Sequence, residues 1–75
     1  MRDQLALLRK CLRDDVPAIV ISAKDICSVP VLQRYLEEAT RNGCDEEFIE
    51  DFKAVLNGFI LFQQEEPFNV KVPDL

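Results

Sequence analysis

The stretch that decides the fold is residues 45–66, DEEFIEDFKAVLNGFILFQQEE. Asp45 is a favourable helix N-cap, and Glu46 and Glu47 place negative charge in the first turn, where the helix dipole favours it. Pro67 then prevents the helix from continuing. Between these signals apolar side chains recur at helical spacing: Phe48, Ile49, Phe52, Val55, Leu56, Phe59, Ile60 and Phe62. The pattern predicts one long amphipathic helix.

The apolar face of this predicted helix is broad. At 100° per residue its eight apolar side chains cover an arc of roughly 160°, which is wider than one packing neighbour needs. Two explanations stay open. In the one we favour, two other helices of the same chain cover the face and form a three-helix core. In the other, a second copy of the chain shares it as a homodimer.

The sequence predicts two shorter helices before the long one. Residues 3–13 carry Leu5, Leu8 and Leu12 at helical spacing, and the aspartates at 14 and 15 followed by Pro17 end this helix. Its opposite face is basic, with Arg2, Arg9, Lys10 and Arg13.

The second helix is predicted over residues 28–41. Ser28 can cap its start, Pro30 falls in the first turn, and Asn42 with Gly43 supplies a left-handed stop. Its apolar face consists of Val31, Leu32, Tyr35, Leu36 and Ala39.

Two segments outside the helices have extended character. Residues 18–21, AIVI, are apolar and rich in β-branching, which is typical of a short strand buried on both faces. In the tail, Phe68, Val70 and Val72 alternate with polar residues or proline, as in an edge strand. We therefore expect a mainly α fold over residues 1–75. It is a small three-helix domain with one short extended segment and a minimal two-stranded pairing of residues 18–22 with 68–72.

Composition narrows the functional classes. The chain of 75 residues has a formal net charge of −5, which repels a phosphate backbone, so we do not expect direct nucleic-acid binding. No apolar run approaches the length of a membrane span, and residues 1–15 lack the pattern of a cleavable leader, so we expect a cytoplasmic protein.

Cys11, Cys27 and Cys44 are widely spaced in a chain without histidine, which argues against a zinc site or a disulfide framework and predicts small buried thiols.

We expect no enzymatic activity, cofactor or small-molecule substrate. The sequence has no glycine-rich phosphate loop and no histidine to serve as a base beside a nucleophile. The acidic start of the long helix does not follow the spacing of a calcium loop.

The candidate functional residues are therefore interface residues on the long helix. Gly58 is unusual there, because a glycine inside a helix costs about 1 kcal/mol relative to alanine and can mark a close backbone approach. The alternative, which we favour slightly, is that the helix tolerates a single glycine or kinks near its end. The candidate interface consists of Ala54, Gly58, Phe59, Ile60, Leu61 and Phe62. We expect a protein–protein interaction or accessory protein that binds a protein partner or itself as a homodimer. The alternative is a regulator that acts through its acidic helix on a basic or nucleic-acid-binding partner.

Several short motifs follow one another along residues 17–75. The motifs are Ala23-Lys24-Asp25, Val29-Pro30, Tyr35-Leu36, Asn42-Gly43-Cys44 and Val70-Lys71-Val72-Pro73-Asp74. In this order they resemble short uncharacterised bacterial and phage or mobile-element proteins. The resemblance implies no activity, cofactor or site residue.

Overall fold

Three α-helices dominate the computed structural model, which describes residues 3–73. They are α1 (Gln4–Arg13), α2 (Ser28–Arg41) and α3 (Glu46–Glu65). A short 3-10 turn, η1 (Pro67–Asn69), follows α3. The predicted mainly α fold with three helices is confirmed.

Local sequence signals fix the ends of α1. The Asp3 carboxylate accepts hydrogen bonds from the backbone N–H groups of Leu5 and Ala6, at 3.0 and 3.1 Å, and so satisfies two free donors of the first turn. At the other end Asp15 adopts a left-handed φ of 56°. This turn lets the N–H of Val16 donate to the Cys11 carbonyl at 2.8 Å, which closes the helix.

The stop after α2 is the one that the sequence predicts. Gly43 has a φ of 72°, a left-handed conformation that a side chain would strain. Its N–H donates to the Thr40 carbonyl at 3.2 Å, and the N–H of Cys44 donates to the Ala39 carbonyl at 3.0 Å. These two bonds form a Schellman motif, so the chain reverses within a few residues and α3 can return along α2.

The long helix α3 is continuous over its 20 residues, as predicted. Asp45 occupies the N-cap position, but its side chain makes no capping hydrogen bond. The helix ends at Glu65, two residues before Pro67.

The core lies between α2 and α3. Its buried apolar residues are Ala39 on α2 and Phe52 and Leu56 on α3. The Tyr35 ring stacks on Phe52 with a centroid distance of 4.8 Å, and Phe48 lies against the same phenylalanine at 6.1 Å. One helix pair therefore supplies the buried apolar side chains of the described chain.

The expected three-helix core is wrong in one respect, because α1 does not cover α3. No Cα atom of α1 lies within 8 Å of a Cα atom of α2, α3 or η1. No residue of α1 is buried. Leucines at helical spacing are typical of a stripe that faces the core. The pattern specifies an apolar face, however, and not the surface that this face contacts.

The expected pairing of residues 18–22 with 68–72 is also wrong, because residues 18–22 are not the segment that pairs with the tail. The tail pairs instead with the turn before α2, through one parallel bridge between Asp25 and Lys71. The N–H of Ile26 donates to the Lys71 carbonyl at 2.9 Å, and the N–H of Lys71 donates to the Lys24 carbonyl at 2.8 Å. Residues 18–21 belong to no strand, and Ile19 and Val20 are 81% and 76% exposed rather than buried.

Candidate interaction surface

The predicted interface residues of α3 fall on two sides of the helix. Ala54, Gly58 and Leu61 are exposed, whereas Phe59, Ile60 and Phe62 are half-buried beside the core. The structure therefore divides the predicted set into an exposed part and a half-buried part.

The exposed part belongs to a strip along the side of α3 that faces away from Phe52 and Leu56. We call it the outer strip; successive members are three or four residues apart, and they are Glu47, Asp51, Ala54, Gly58, Leu61 and Glu65. The strip is apolar in the middle and acidic at both ends. A Cβ atom built on Gly58 would meet nothing within 4 Å, so no other part of the described chain approaches the helix there.

A second uncovered apolar surface lies on α1, where the leucine pattern predicts a core-facing stripe. Leu5, Leu7 and Leu12 are 53%, 58% and 72% exposed. Leu8 and Cys11, between them on the same face, are half-buried. We call the face made by Leu5, Leu7, Leu8, Cys11 and Leu12 the leucine face. The stripe of leucines was visible in the sequence, but nothing in the pattern shows whether it is covered within the chain.

A polar cluster holds the other parts of the molecule together. The Gln63 side-chain amide on α3 donates to the carbonyls of Ala23 and Asp25, at 3.1 and 3.2 Å, and to the Ser28 hydroxyl at 3.1 Å. Ser28 is fully buried, and its hydroxyl donates to the Asp25 carbonyl at 2.7 Å. These bonds join the end of α3 to the start of α2 and to the turn that pairs with the tail.

The prediction that Ser28 caps α2 is wrong. Ser28 is the first residue of the helix and not its N-cap. The Asp25 carboxylate instead accepts from the N–H of Cys27 at 2.7 Å. The polar residues at 22–28 therefore organise a turn.

Charge is distributed unevenly between the helices. Residues 1–15 carry four basic and three acidic side chains, whereas residues 45–75 carry two basic and eight acidic ones. On α1, Arg9 and Arg13 are exposed beside the leucine face, and Arg13 has an ion pair with the adjacent Asp14 at 3.5 Å. On α3, Glu47 of the outer strip and Glu50 beside it are exposed, and Lys53 approaches Glu50 at 3.4 Å. Exposed pairs of this kind contribute little to stability and rearrange readily.

The cysteines differ from the prediction of buried thiols. Cys27 and Cys44 are exposed, and Cys11 is half-buried on α1. Within residues 3–73, no three side chains of histidine, cysteine, aspartate or glutamate converge as a metal ion would require. Over the same residues, none of the helices has the length and apolar character needed to cross a membrane.

The surface of the molecule is large for its mass. The accessible area is 6271 Å², against about 4,700 Å² expected for a folded monomer of this size. The Cα radius of gyration is 13.6 Å, against about 11 Å for a compact chain of this length. The excess area is on the order of 1,600 Å², which is about twice what one partner contributes to a stable protein interface.

No family model, no curated protein and no solved structure matches the chain. The surfaces of the molecule itself are what bear on its function.

Proposed function

We propose that this chain is a non-enzymatic protein-interaction protein that associates with itself through α1. The observation that carries the proposal is the leucine face, which no other helix of the described chain covers. A helix with an apolar face usually buries that face against another element, because most helical stability in proteins comes from such packing.

The excess accessible area of the chain as a whole is consistent with a protein partner rather than a small ligand. A standard interface buries about 800 Å² on each partner, and the excess area of this chain is larger than that. Apolar area removed from water contributes about 25 cal/mol per Å², so covering the leucine face would stabilise an associated state. A second copy is always present at the concentration of the first, which makes it the simplest partner.

Measuring molar mass by light scattering over a concentration series tests the proposal. We expect the mass of the wild-type chain to rise from that of one chain to that of two. The double variant Leu5→Ser/Leu12→Ser should stay at the mass of one chain over the same range, because it replaces two exposed leucines of the leucine face. Its thermal unfolding at low concentration should match that of the wild type, since neither side chain belongs to the α2–α3 core.

Phe68→Ser is the matched control. Phe68 is 94% exposed on η1, so this variant also removes a large exposed apolar side chain, but from a different surface. It should dimerise as the wild type does. A wild-type chain that keeps the mass of one molecule at every concentration contradicts the proposal, and so does a double variant that dimerises equally well.

The acidic start of α3 supports a second candidate function. Asp45, Glu46, Glu47 and Glu50 are exposed, and the Asp45 carboxylate makes no capping bond. A regulator acting through these carboxylates on a basic partner would bind it in a strongly salt-dependent way. An affinity for a basic protein that is equal at low and high salt would count against this alternative.

A further inference from the structure

We propose that a cleft beside the tail binds an extended, acidic segment of another protein, which adds to the chain as a β-strand. The cleft has a volume of about 390 Å³, and we call it the tail cleft. Its lining includes Val20, Ser22, Lys24, Asn69, Lys71 and Val72. None of the lining residues belongs to the leucine face, so this binding does not depend on self-association through α1.

The two segments that the sequence predicts to pair with each other both line this cleft, and they do not bond to each other. Residues 16–22 run without a turn or bend, and the backbone groups of residues 18–21 make no hydrogen bond within the described chain. On the tail, Lys71 bonds the turn before α2, whereas the N–H and C=O of Val72 make no hydrogen bond within residues 3–73. Both segments therefore offer backbone donors and acceptors to another extended chain, as an edge strand does.

The apolar side chains of the tail cleft suit a strand as their neighbour. Val20 and Val72 are 76% and 77% exposed. In a sheet, β-branched side chains of this kind pack on those of the adjacent strand, and their apolar surface leaves water. The cleft is at the small end of the range of about 300–1,000 Å³ that is typical of ligand sites, so it fits a short stretch of chain.

Two lysines determine the charge of the segment that fits the cleft. Lys24 and Lys71 both line it, and neither makes an ion pair within residues 3–73. The Asp25 carboxylate, which also belongs to the lining, already accepts from the N–H of Cys27 at 2.7 Å. Carboxylates of a bound segment would give the two ammonium groups the partners that they lack. Complementary charge of this kind selects an acidic segment over a basic one.

The acidic start of α3 is too distant to repel such a segment at physiological salt. Gln63, which bonds the turn before α2, follows Glu50 by 13 residues, or about 20 Å along the helix. The Debye length at this salt is about 8 Å, so exposed charges that far apart are largely screened. Glu66 is closer to the tail, and its carboxylate accepts from the Asn69 amide at 3.0 Å.

A small anion explains the tail cleft less well than an extended segment does. An inorganic anion would use the two lysines, but it would leave Val20 and Val72 in water. It would also leave the backbone groups of residues 18–21 without a protein partner. An extended acidic segment satisfies the charges, the apolar side chains and the backbone together.

A nuclear magnetic resonance titration of the full chain tests the proposal. The probe is a synthetic peptide of about six residues with alternating glutamate and valine and with blocked ends. We expect it to shift the amide signals of residues 18–22 and of Val72 in proportion to the bound fraction. A peptide of the same length with alternating lysine and valine should leave these signals in place. The proposal is wrong if the acidic peptide shifts none of them or if the basic peptide binds as tightly.

Reversing the two lysines checks the role of charge. Lys24→Glu/Lys71→Glu should bind the acidic peptide about tenfold more weakly, or worse, because like charges then face each other. Both side chains are exposed and their segments pair through backbone groups, so thermal unfolding should match that of the wild type. Lys10→Glu/Lys53→Glu is the matched control, since it changes the net charge equally at exposed lysines outside the cleft. An equal loss of binding in the two variants would overturn the proposal.

Two further probes leave the chain itself unchanged. Methylating every second backbone nitrogen of the acidic peptide keeps its charges and removes hydrogen-bond donors, so the affinity should fall about tenfold. Inorganic phosphate should shift the amide signals of residues 18–22 far less than the peptide does at the same concentration. If the methylated peptide binds as tightly as the unmodified one, or if phosphate produces the same shifts, the cleft does not bind an added strand.

Discussion

The α2–α3 pair and the helix α1 have similar apolar patterns but opposite surroundings. In the pair, Phe52 and Leu56 are buried against α2, and the Gln63 amide ties the end of α3 to the start of α2. In α1, Leu12 is 72% exposed although it occupies an equally regular apolar stripe. A helical pattern therefore determines which residues share a face. It does not determine which other element, if any, packs on that face.

The largest expected difference between the two regions comes from one substitution made in both. Leu56→Ala should lower the free energy of unfolding by about 2–5 kcal/mol, because it leaves a cavity in a core with few buried side chains. Leu12→Ala should change it by no more than about 0.5 kcal/mol at concentrations below dimerisation, since the side chain is already in water. Urea titrations followed by circular dichroism measure both values. Equal losses would show that α1 is part of the core after all.

An intermediate effect is expected from the polar cluster. Gln63→Met keeps the side-chain length and removes the amide that donates to Ala23, Asp25 and Ser28. Leaving these partly buried acceptors short of a partner should cost about 1–3 kcal/mol in the same titration. Gln64→Met, the same change at the exposed neighbouring position, is the control and should have almost no effect. If the two variants are equally stable, the cluster does not hold the helices together.

The smallest effect concerns the two glycines and should differ in sign. Gly43→Ala forces a side chain into a left-handed φ of 72° and should destabilise the chain by about 1 kcal/mol. Gly58→Ala places a better helix former where its Cβ has open space, and should stabilise the single chain by about 0.5–1 kcal/mol. Thermal unfolding at low concentration gives both signs. A loss of stability in Gly58→Ala would mean that its helix is not free there.

The elements that local chemistry specifies were predictable from the sequence. The acidic first turn and Pro67 mark the two ends of α3, although the Asp45 carboxylate makes no capping bond, and Gly43 determines the end of α2. Pairings between distant segments were not predictable in the same way. The β-branched residues at 18–21 favour an extended backbone, but their neighbours depend on where the rest of the chain runs. The tail instead pairs with the turn before α2, through backbone hydrogen bonds of Lys71 with Lys24 and Ile26.

The candidate surface was predictable only in part. The outer strip was anticipated through Ala54, Gly58 and Leu61, because a glycine inside a helix is a local anomaly that the sequence displays. The leucine face was missed, because an uncovered stripe and a core stripe have the same sequence. The contribution of Gln63 was missed as well, since a glutamine near a helix end is ordinary until its acceptors on distant segments are known.

The hydrogen bonds of the Gln63 side chain limit how early the chain can complete its fold during synthesis. Its acceptors lie between 35 and 40 positions earlier in the sequence, so the cluster cannot close until the ribosome has made most of α3. Throughout that interval the leucines of α1, which are made first, are already outside the core and open to any apolar surface nearby.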